Sequence, residues 1–133
     1  DMKRFLIALV CVGMLLVLVG CSSRHYVSSY KATLFVHSNR ASSSYMRFSG
    51  FDGKMVFKMK SSGNDTLSCS AKLESGNATL YYDDNGTKTP FLSIHGGEEV
   101  STKVAPLKSG KVYVIVETDG KCSGGDFTFD IEK

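Results

Sequence analysis

Polar and apolar residues alternate with a period of two through most of the chain beyond residue 30, and this restricts it to β structure. The alternation is unbroken from Thr66 to Leu73 and again from Phe127 to Glu132. The segment Lys111 to Glu117 is apolar on both faces in its middle, which is typical of a central strand. The pattern predicts strands that bury one face in a core and expose the other to water.

Turn signals containing glycine separate these segments at intervals of about 8–14 residues, a spacing typical of sandwiches and barrels. They are Asp52-Gly53, Ser62–Asp65, Ser75–Asn77, Asp83–Gly86, His95–Gly97, Ser109-Gly110 and Asp119-Gly120. The other strand candidates are Lys31–His37, Ser44–Phe51, Lys54–Lys60, Asn77–Tyr82, Pro90–His95 and Glu99–Val104. The sequence therefore predicts an all-β fold, a single jelly-roll-like antiparallel β-sandwich of eight or nine strands in residues 30–133.

The N-terminal sequence predicts an export signal. Lys3 and Arg4 precede the apolar run Phe5–Val19, which is short for a membrane-spanning helix of about 20 residues. The run closes on Leu18–Cys21, which resembles the bacterial lipobox and implies that Cys21 carries a diacylglycerol. We expect a signal helix in residues 1–20 and a lipidated tether in 21–29, which place the protein on the extracytoplasmic face of the cell membrane. A plain secretory signal or an uncleaved anchor helix is the alternative.

Charge argues against nucleic acid as a partner. The chain has a net charge of +3, which becomes +2 once Asp1, Lys3 and Arg4 leave with the signal. The basic residues are spread along the sequence, whereas nucleic-acid-binding proteins gather them into clusters. An exported location points the same way.

Cys69 and Cys122 are the two cysteines that remain beyond Cys21. An even pair in an exported domain predicts a disulfide, which would stabilise the fold by about 4 kcal/mol in the loop-entropy model. Two free thiols are the alternative. No further cysteine or histidine lies at metal-ligand spacing, so the sequence predicts no metal bound by these thiols.

The C-terminal half, residues 77–132, carries a family resemblance. Its consecutive pieces are "ATLYYDDNGTK", "EEVSTKV", "PLKSGKVYVIVETDG" and "GGDFTFDIE". They resemble the pre-peptidase C-terminal-like β-sandwich modules and related small lipoproteins of Gram-positive bacteria. The residues that carry the resemblance are Gly110, Tyr113, Gly124, Gly125, Phe127 and Phe129. It implies an accessory or binding domain with no shared catalytic residues.

Catalytic patterns are missing from the sequence. There is no G-x-S-x-G nucleophile elbow, and the histidines are His25, His37 and His95. The stretch "IHGGEE" resembles the oxyanion loop of some esterases, but without the elbow it predicts a hairpin loop. We therefore expect a non-enzymatic binding or interaction module at the cell envelope, with a protein or glycan ligand. A small inhibitor of an envelope-lytic enzyme and an envelope hydrolase are the alternatives.

Loops are the expected contact points of such a module. The loops richest in polar residues are Asp83–Lys88, His95–Glu99 and Asp119–Asp126. The loops at Asp83 and Asp119 hold an excess of acidic residues, namely Asp83, Asp84, Asp119 and Asp126. If the fold brings these loops together, the carboxylates form a site for calcium or for a basic partner. The alternative is that they are solvated turn residues. Tyrosine side chains on one sheet face are candidates for a flat surface on which a sugar ring stacks. The alternative is that they are exposed tyrosines without a ligand. The candidates are Tyr26, Tyr30, Tyr45, Tyr81, Tyr82 and Tyr113.

Overall fold

The computed structural model describes residues 26–133, and within them the secondary structure consists of nine β-strands without a helix. Every hydrogen-bonded strand pair is antiparallel. The strands are β1 Ser29–Thr33, β2 Val36–Asn39, β3 Ser43–Ser61, β4 Thr66–Ser75, β5 Asn77–Asp83, β6 Thr89–His95, β7 Glu98–Val104, β8 Gly110–Thr118 and β9 Cys122–Glu132. The all-β sandwich prediction is confirmed. The described residues include no helix capable of spanning a membrane. The predicted signal segment and Cys21 lie outside them.

The sheet folds back on itself through the long strand β3. Residues 43–51 of β3 pair with β9, whereas residues 54–61 pair with β8. The strand order is β6-β5-β8-β3-β9-β4-β7, with β1 and β2 also paired to β3. We call β6, β5, β8 and residues 54–61 of β3 the front layer. The back layer comprises β7, β4, β9 and residues 43–51 of β3, with β1 and β2 along its edge.

Two backbone features differ from the sequence prediction. The predicted turn at Asp52-Gly53 is wrong, because both residues continue β3. Gly53 has a φ of +136°, and an added Cβ there would lie 2.2 Å from the carbonyl oxygen of Ser29, so glycine permits the close approach of β1. The predicted strand Lys31–His37 is broken at Leu34, whose φ of +47° turns the chain from β1 into β2.

The core lies between the two layers and is rich in phenylalanine. Phe57 of the front layer and Phe129 of the back layer are both fully buried, with ring centroids 5.3 Å apart. Phe127 and Phe48 also pack together, with centroids 5.9 Å apart, but both lie in the back layer. The Phe57–Phe129 pair joins the two layers, and buried aromatic side chains of this kind contribute large apolar areas.

The predicted disulfide is wrong for this fold. Cys69 lies opposite Phe129 in the β4–β9 pair, whereas Cys122 is the first residue of β9. Seven residues separate positions 122 and 129, or about 23 Å at roughly 3.3 Å per residue. A disulfide requires Cα atoms within about 7 Å. Both thiols are free and buried, and burial raises the pKa of Cys69 to about 12.

The turn between β3 and β4 is built on the carboxylate of Asp65. Its Oδ2 accepts hydrogen bonds from the Ser62 amide at 2.8 Å and the Ser61 hydroxyl at 2.9 Å. The Ser62 amide, followed by the Ser61 hydroxyl, holds the pKa of Asp65 below its ordinary value of 3.8. These bonds favour the ionised form, so they couple the stability of the turn to pH.

We expect Asp65→Asn to lower the melting temperature at neutral pH, with a difference from the wild type that shrinks in acid. The folded-state pKa is depressed, so the stabilisation is fully present above the unfolded pKa of about 3.9 and is lost as pH falls through the folded value. Thermal melts at neutral and acidic pH measure this, with Asp52→Asn, an exposed carboxylate of β3, as the charge-matched control. A difference that stays constant across the pH range would contradict the prediction.

Candidate functional site

The outer face of the front layer carries a set of polar and aromatic side chains that the strand register aligns. Strand register places Tyr81 and Val56 on either side of Ile115, and Thr79 and Lys54 on either side of Glu117. The neighbouring residues in each strand point into the core. The outward side chains are Lys54, Val56, Lys58 and Lys60 of β3, Lys111, Tyr113, Ile115 and Glu117 of β8, Thr79, Tyr81 and Asp83 of β5, and Ser93 and His95 of β6.

A groove of about 420 Å³ opens on this face across β5, β6 and the end of β8, and we call it the front groove. It combines one aromatic ring with hydroxyl, amide, imidazole and carboxylate groups. Its lining side chains are Asn77, Thr79, Tyr81, Ser93, His95, Glu117, Thr118 and Asp119. The groove therefore offers hydrogen-bond donors and acceptors around a flat apolar surface.

The aromatic ring of the groove is held by charged neighbours. The Nζ atom of Lys88, in the β5–β6 turn, lies 4.4 Å from the centroid of the Tyr81 ring. The same ammonium group is paired with the carboxylate of Glu117. A cation at this distance is attracted by the ring's electron cloud. Ring, cation and carboxylate thus form one fixed unit at the edge of the front groove.

The imidazole of the groove is oriented by an amide. Nδ1 of His95 lies 2.6 Å from Oδ1 of Asn77, and the main-chain amide of His95 donates to Glu98 Oε1 at 2.6 Å. Within residues 26–133, no hydrogen bond joins the imidazole of His95 to a serine hydroxyl or a carboxylate. A nucleophile with an oriented base requires such contacts. The arrangement is suited to hydrogen bonding with a ligand.

The start of the described chain also lies on this face. The Tyr26 hydroxyl donates to Oδ2 of Asp83 at 2.6 Å, and its ring stands edge-on to Tyr113 with centroids 5.2 Å apart. The Val56 amide donates to the Ser28 hydroxyl at 2.8 Å. Residues that the sequence assigns to the tether therefore contact the domain. This N-terminal segment lies on the outer face of the front layer before β1 begins.

The acidic loops predicted to be neighbours lie far apart. Asp83 is opposite Tyr113 near the start of β8, whereas the amide of Asp119, beyond the end of β8, donates to the carbonyl of Asn77. Six residues of strand, about 20 Å, separate the two ends. Asp126 lies in the back layer, 3.4 Å from Arg47. The prediction of one shared cation site is wrong.

Two of these carboxylates stabilise local structure. Buried Asp83 accepts hydrogen bonds at Oδ1 from the amides of Asn85, at 3.0 Å, and Gly86, at 2.5 Å. Asp84 accepts one from the amide of Lys108 at 2.9 Å. Across residues 26–133, no cluster of three or more histidine, cysteine, aspartate or glutamate side chains is placed to hold a metal ion.

The six tyrosines named by sequence are divided among different surroundings. Tyr81 lines the front groove, and Tyr26 meets Tyr113 near the start of β8. Tyr82 packs edge-on against Phe91, Tyr30 stacks on Phe51, and Tyr45 lies beside Arg47 on the outer back layer. The local sequence pattern does not mark Asn77, Thr79, Ser93 or Glu117 as groove residues. Only the strand register reveals them, since they come from three strands.

No protein-family model and no curated protein sequence matches the chain. Among solved structures it is similar to a family 61 carbohydrate-binding module in complex with β-1,4-galactotriose, at 14% identity over 85% of this chain and 75% of that one, with a TM-score of 0.45. It is also similar to a family 29 module, at 13% identity over 82% and 78%, TM-score 0.43. A family 4 module aligns at 11% identity over 84% and 82%, TM-score 0.42. The resemblance to pre-peptidase C-terminal modules stays a prediction.

Proposed function

We propose that this protein is an exported lipoprotein, anchored through Cys21 to the extracytoplasmic face of the membrane, whose β-sandwich binds a glycan in the front groove. The anchor is supported by Leu18–Cys21 at the close of the apolar run. Binding is supported by the side chains that the front layer places together. The two parts of the proposal are independent and are tested separately.

The observation that carries the binding role is the pairing of the Tyr81 ring with polar groups in one groove. A sugar presents an apolar C–H face and a rim of hydroxyl groups. A tyrosine ring packs against the first, while amide, hydroxyl and carboxylate side chains donate to or accept from the second. Asn77, Thr79, Ser93 and Glu117 supply those groups. A volume of about 420 Å³ lies within the usual range for small-ligand sites.

The side chains of the front groove are suited to binding a ligand rather than to catalysing a reaction on it. His95 is joined to the amide of Asn77, which orients the ring, and within residues 26–133 no hydrogen bond joins the imidazole to a carboxylate. Asp83 and Asp84 bond to turn amides. The side chains of the front groove thus supply recognition, and the ligand leaves chemically unchanged.

The binding role is tested with a soluble form, Ser22–Lys133, which contains all nine strands and the core that they enclose. Screening it on an array of neutral and envelope-derived oligosaccharides identifies the ligand, and calorimetry on the best of these gives the affinity. We expect binding to at least one glycan series. Failure to bind any glycan on the array would contradict this part of the proposal.

Replacing Cys21 with alanine is expected to abolish incorporation of labelled fatty acid and to release the protein from the membrane fraction. The sulfur of Cys21 is the proposed attachment point, and the acyl chains supply the membrane affinity. Metabolic labelling of the full chain in a bacterial host measures this, with Cys122→Ala as the matched control that keeps its label. Equal labelling of the wild type and Cys21→Ala would contradict the anchor.

A further inference from the structure

Four cationic side chains surround a second groove, of about 480 Å³, at the opposite end of β3 and β8 from the front groove. They are Arg40 from the turn before β3, Lys58 and Lys60 of β3, and Lys111 of β8. We call these four residues the basic patch. All four are exposed, and no carboxylate lines the groove between them.

The basic patch is not neutralised within the described part of the chain. The ion pairs of residues 26–133 join Arg47 to Asp126, Lys88 to Glu117 and Lys103 to Glu132, so they leave all four patch residues unpaired. Lys60 and Lys111 lie directly opposite one another in the β3–β8 pair. Like charges in that position repel, which destabilises the sheet unless an anion lies between them. The patch is therefore complementary to a negatively charged surface.

The proposed anchor brings such a surface close. Tyr26 contacts Tyr113, which is two residues from Lys111 on the same face of β8, a separation of about 7 Å. Cys21 precedes Tyr26 by five residues, and an extended chain of that length spans at most about 18 Å. The headgroups of the membrane that holds the acyl chains are thus within reach of the basic patch.

We propose that the basic patch binds the anionic phospholipid headgroups of the membrane in which the lipid anchor is inserted. Juxtamembrane lysines and arginines are attracted to anionic leaflets over about a Debye length. The front groove lies on the same outer face but six strand residues further along β8, about 20 Å from Lys111, so the membrane contact and the groove are separate sites. The inference uses the proposed anchor only to locate the membrane. It does not depend on what the front groove binds.

Co-sedimentation of the soluble form Ser22–Lys133 with lipid vesicles tests the proposal without the anchor. We expect binding to vesicles that contain phosphatidylglycerol, weaker binding at high salt, and none to phosphatidylcholine alone. The double variant Lys60→Gln with Lys111→Gln should lower the partition coefficient by about 25-fold, at roughly five-fold per charge. The matched control, Lys72→Gln with Lys103→Gln in the back layer, removes the same charge and should bind nearly as the wild type does.

Three outcomes would overturn the proposal. The first is an equal loss of binding in both double variants, which would reflect net charge rather than the patch. The second is equal binding to phosphatidylcholine vesicles. The third is binding to an acidic polysaccharide, such as polygalacturonate, without binding to vesicles. Tyr81→Ala should retain full vesicle binding, so failure of the membrane contact and failure of the glycan role are separable.

Discussion

Replacing Phe129 with alanine is expected to lower the free energy of unfolding by about 3–5 kcal/mol. The side chain is fully buried, and its ring lies 5.3 Å from that of Phe57 across the two layers. Alanine would leave a cavity between β9 and the second half of β3, and the flanking strands are hydrogen-bonded on both sides and cannot close it. Urea denaturation of the soluble form measures the change.

Tyr45→Ala is the matched control for this prediction. Tyr45 is an aromatic residue of β3 on the outer face of the back layer and is 36% exposed. It lies outside the core, so its truncation opens no cavity between the layers and we expect a loss well below that of Phe129→Ala. Similar losses in the two variants would show that the Phe57–Phe129 contact does not hold the layers together.

Replacing Tyr81 with alanine is expected to weaken glycan binding about ten-fold or more, because aromatic anchors in ligand sites commonly contribute more than about 1 kcal/mol each. Tyr81 supplies the aromatic surface of the front groove, and its ring also holds Lys88 in place. Calorimetry with the best array glycan measures the loss. Tyr81→Phe keeps the ring and should retain most of the affinity.

Tyr45→Ala again serves as the control, since it makes the same substitution on the outer face of the other layer. It should bind the glycan as the wild type does. An unfolding curve measured for Tyr81→Ala shows whether the variant is folded, so that a loss of binding is not mistaken for a loss of the fold. Unchanged affinity in a folded Tyr81→Ala variant would remove the ring from the binding site and contradict the assignment of the groove.

Strand prediction from the sequence succeeded where the hydrophobic pattern is local. The apolar run in Lys111–Glu117 becomes β8, which lies between β5 and β3 as a central strand should. The pattern failed at Asp52-Gly53, because a glycine inside a strand and a glycine in a turn have the same local sequence. The approach of β1, fixed by pairing residues 17 to 25 positions apart, decides between them.

The candidate sites depend even more on distant pairing. Antiparallel register places Asp83 and Asp119 at opposite ends of neighbouring strands, although both follow strand segments in the sequence. The same register gathers Arg40, Lys60 and Lys111 into the basic patch, although the sequence shows no basic cluster. Cys69 lies on the buried face of β4, but its distance from Cys122 depends on the pairing of β4 with β9.

The most direct test of the account is to map the bound glycan on the protein by nuclear magnetic resonance. Titrating the best array glycan into ¹⁵N-labelled Ser22–Lys133 reports every amide that senses the ligand. We expect the largest shifts at the front groove, at the amides of Thr79, Ser93 and Thr118, with the back layer unchanged. Shifts confined to the back layer or to the β1–β2 edge would contradict it.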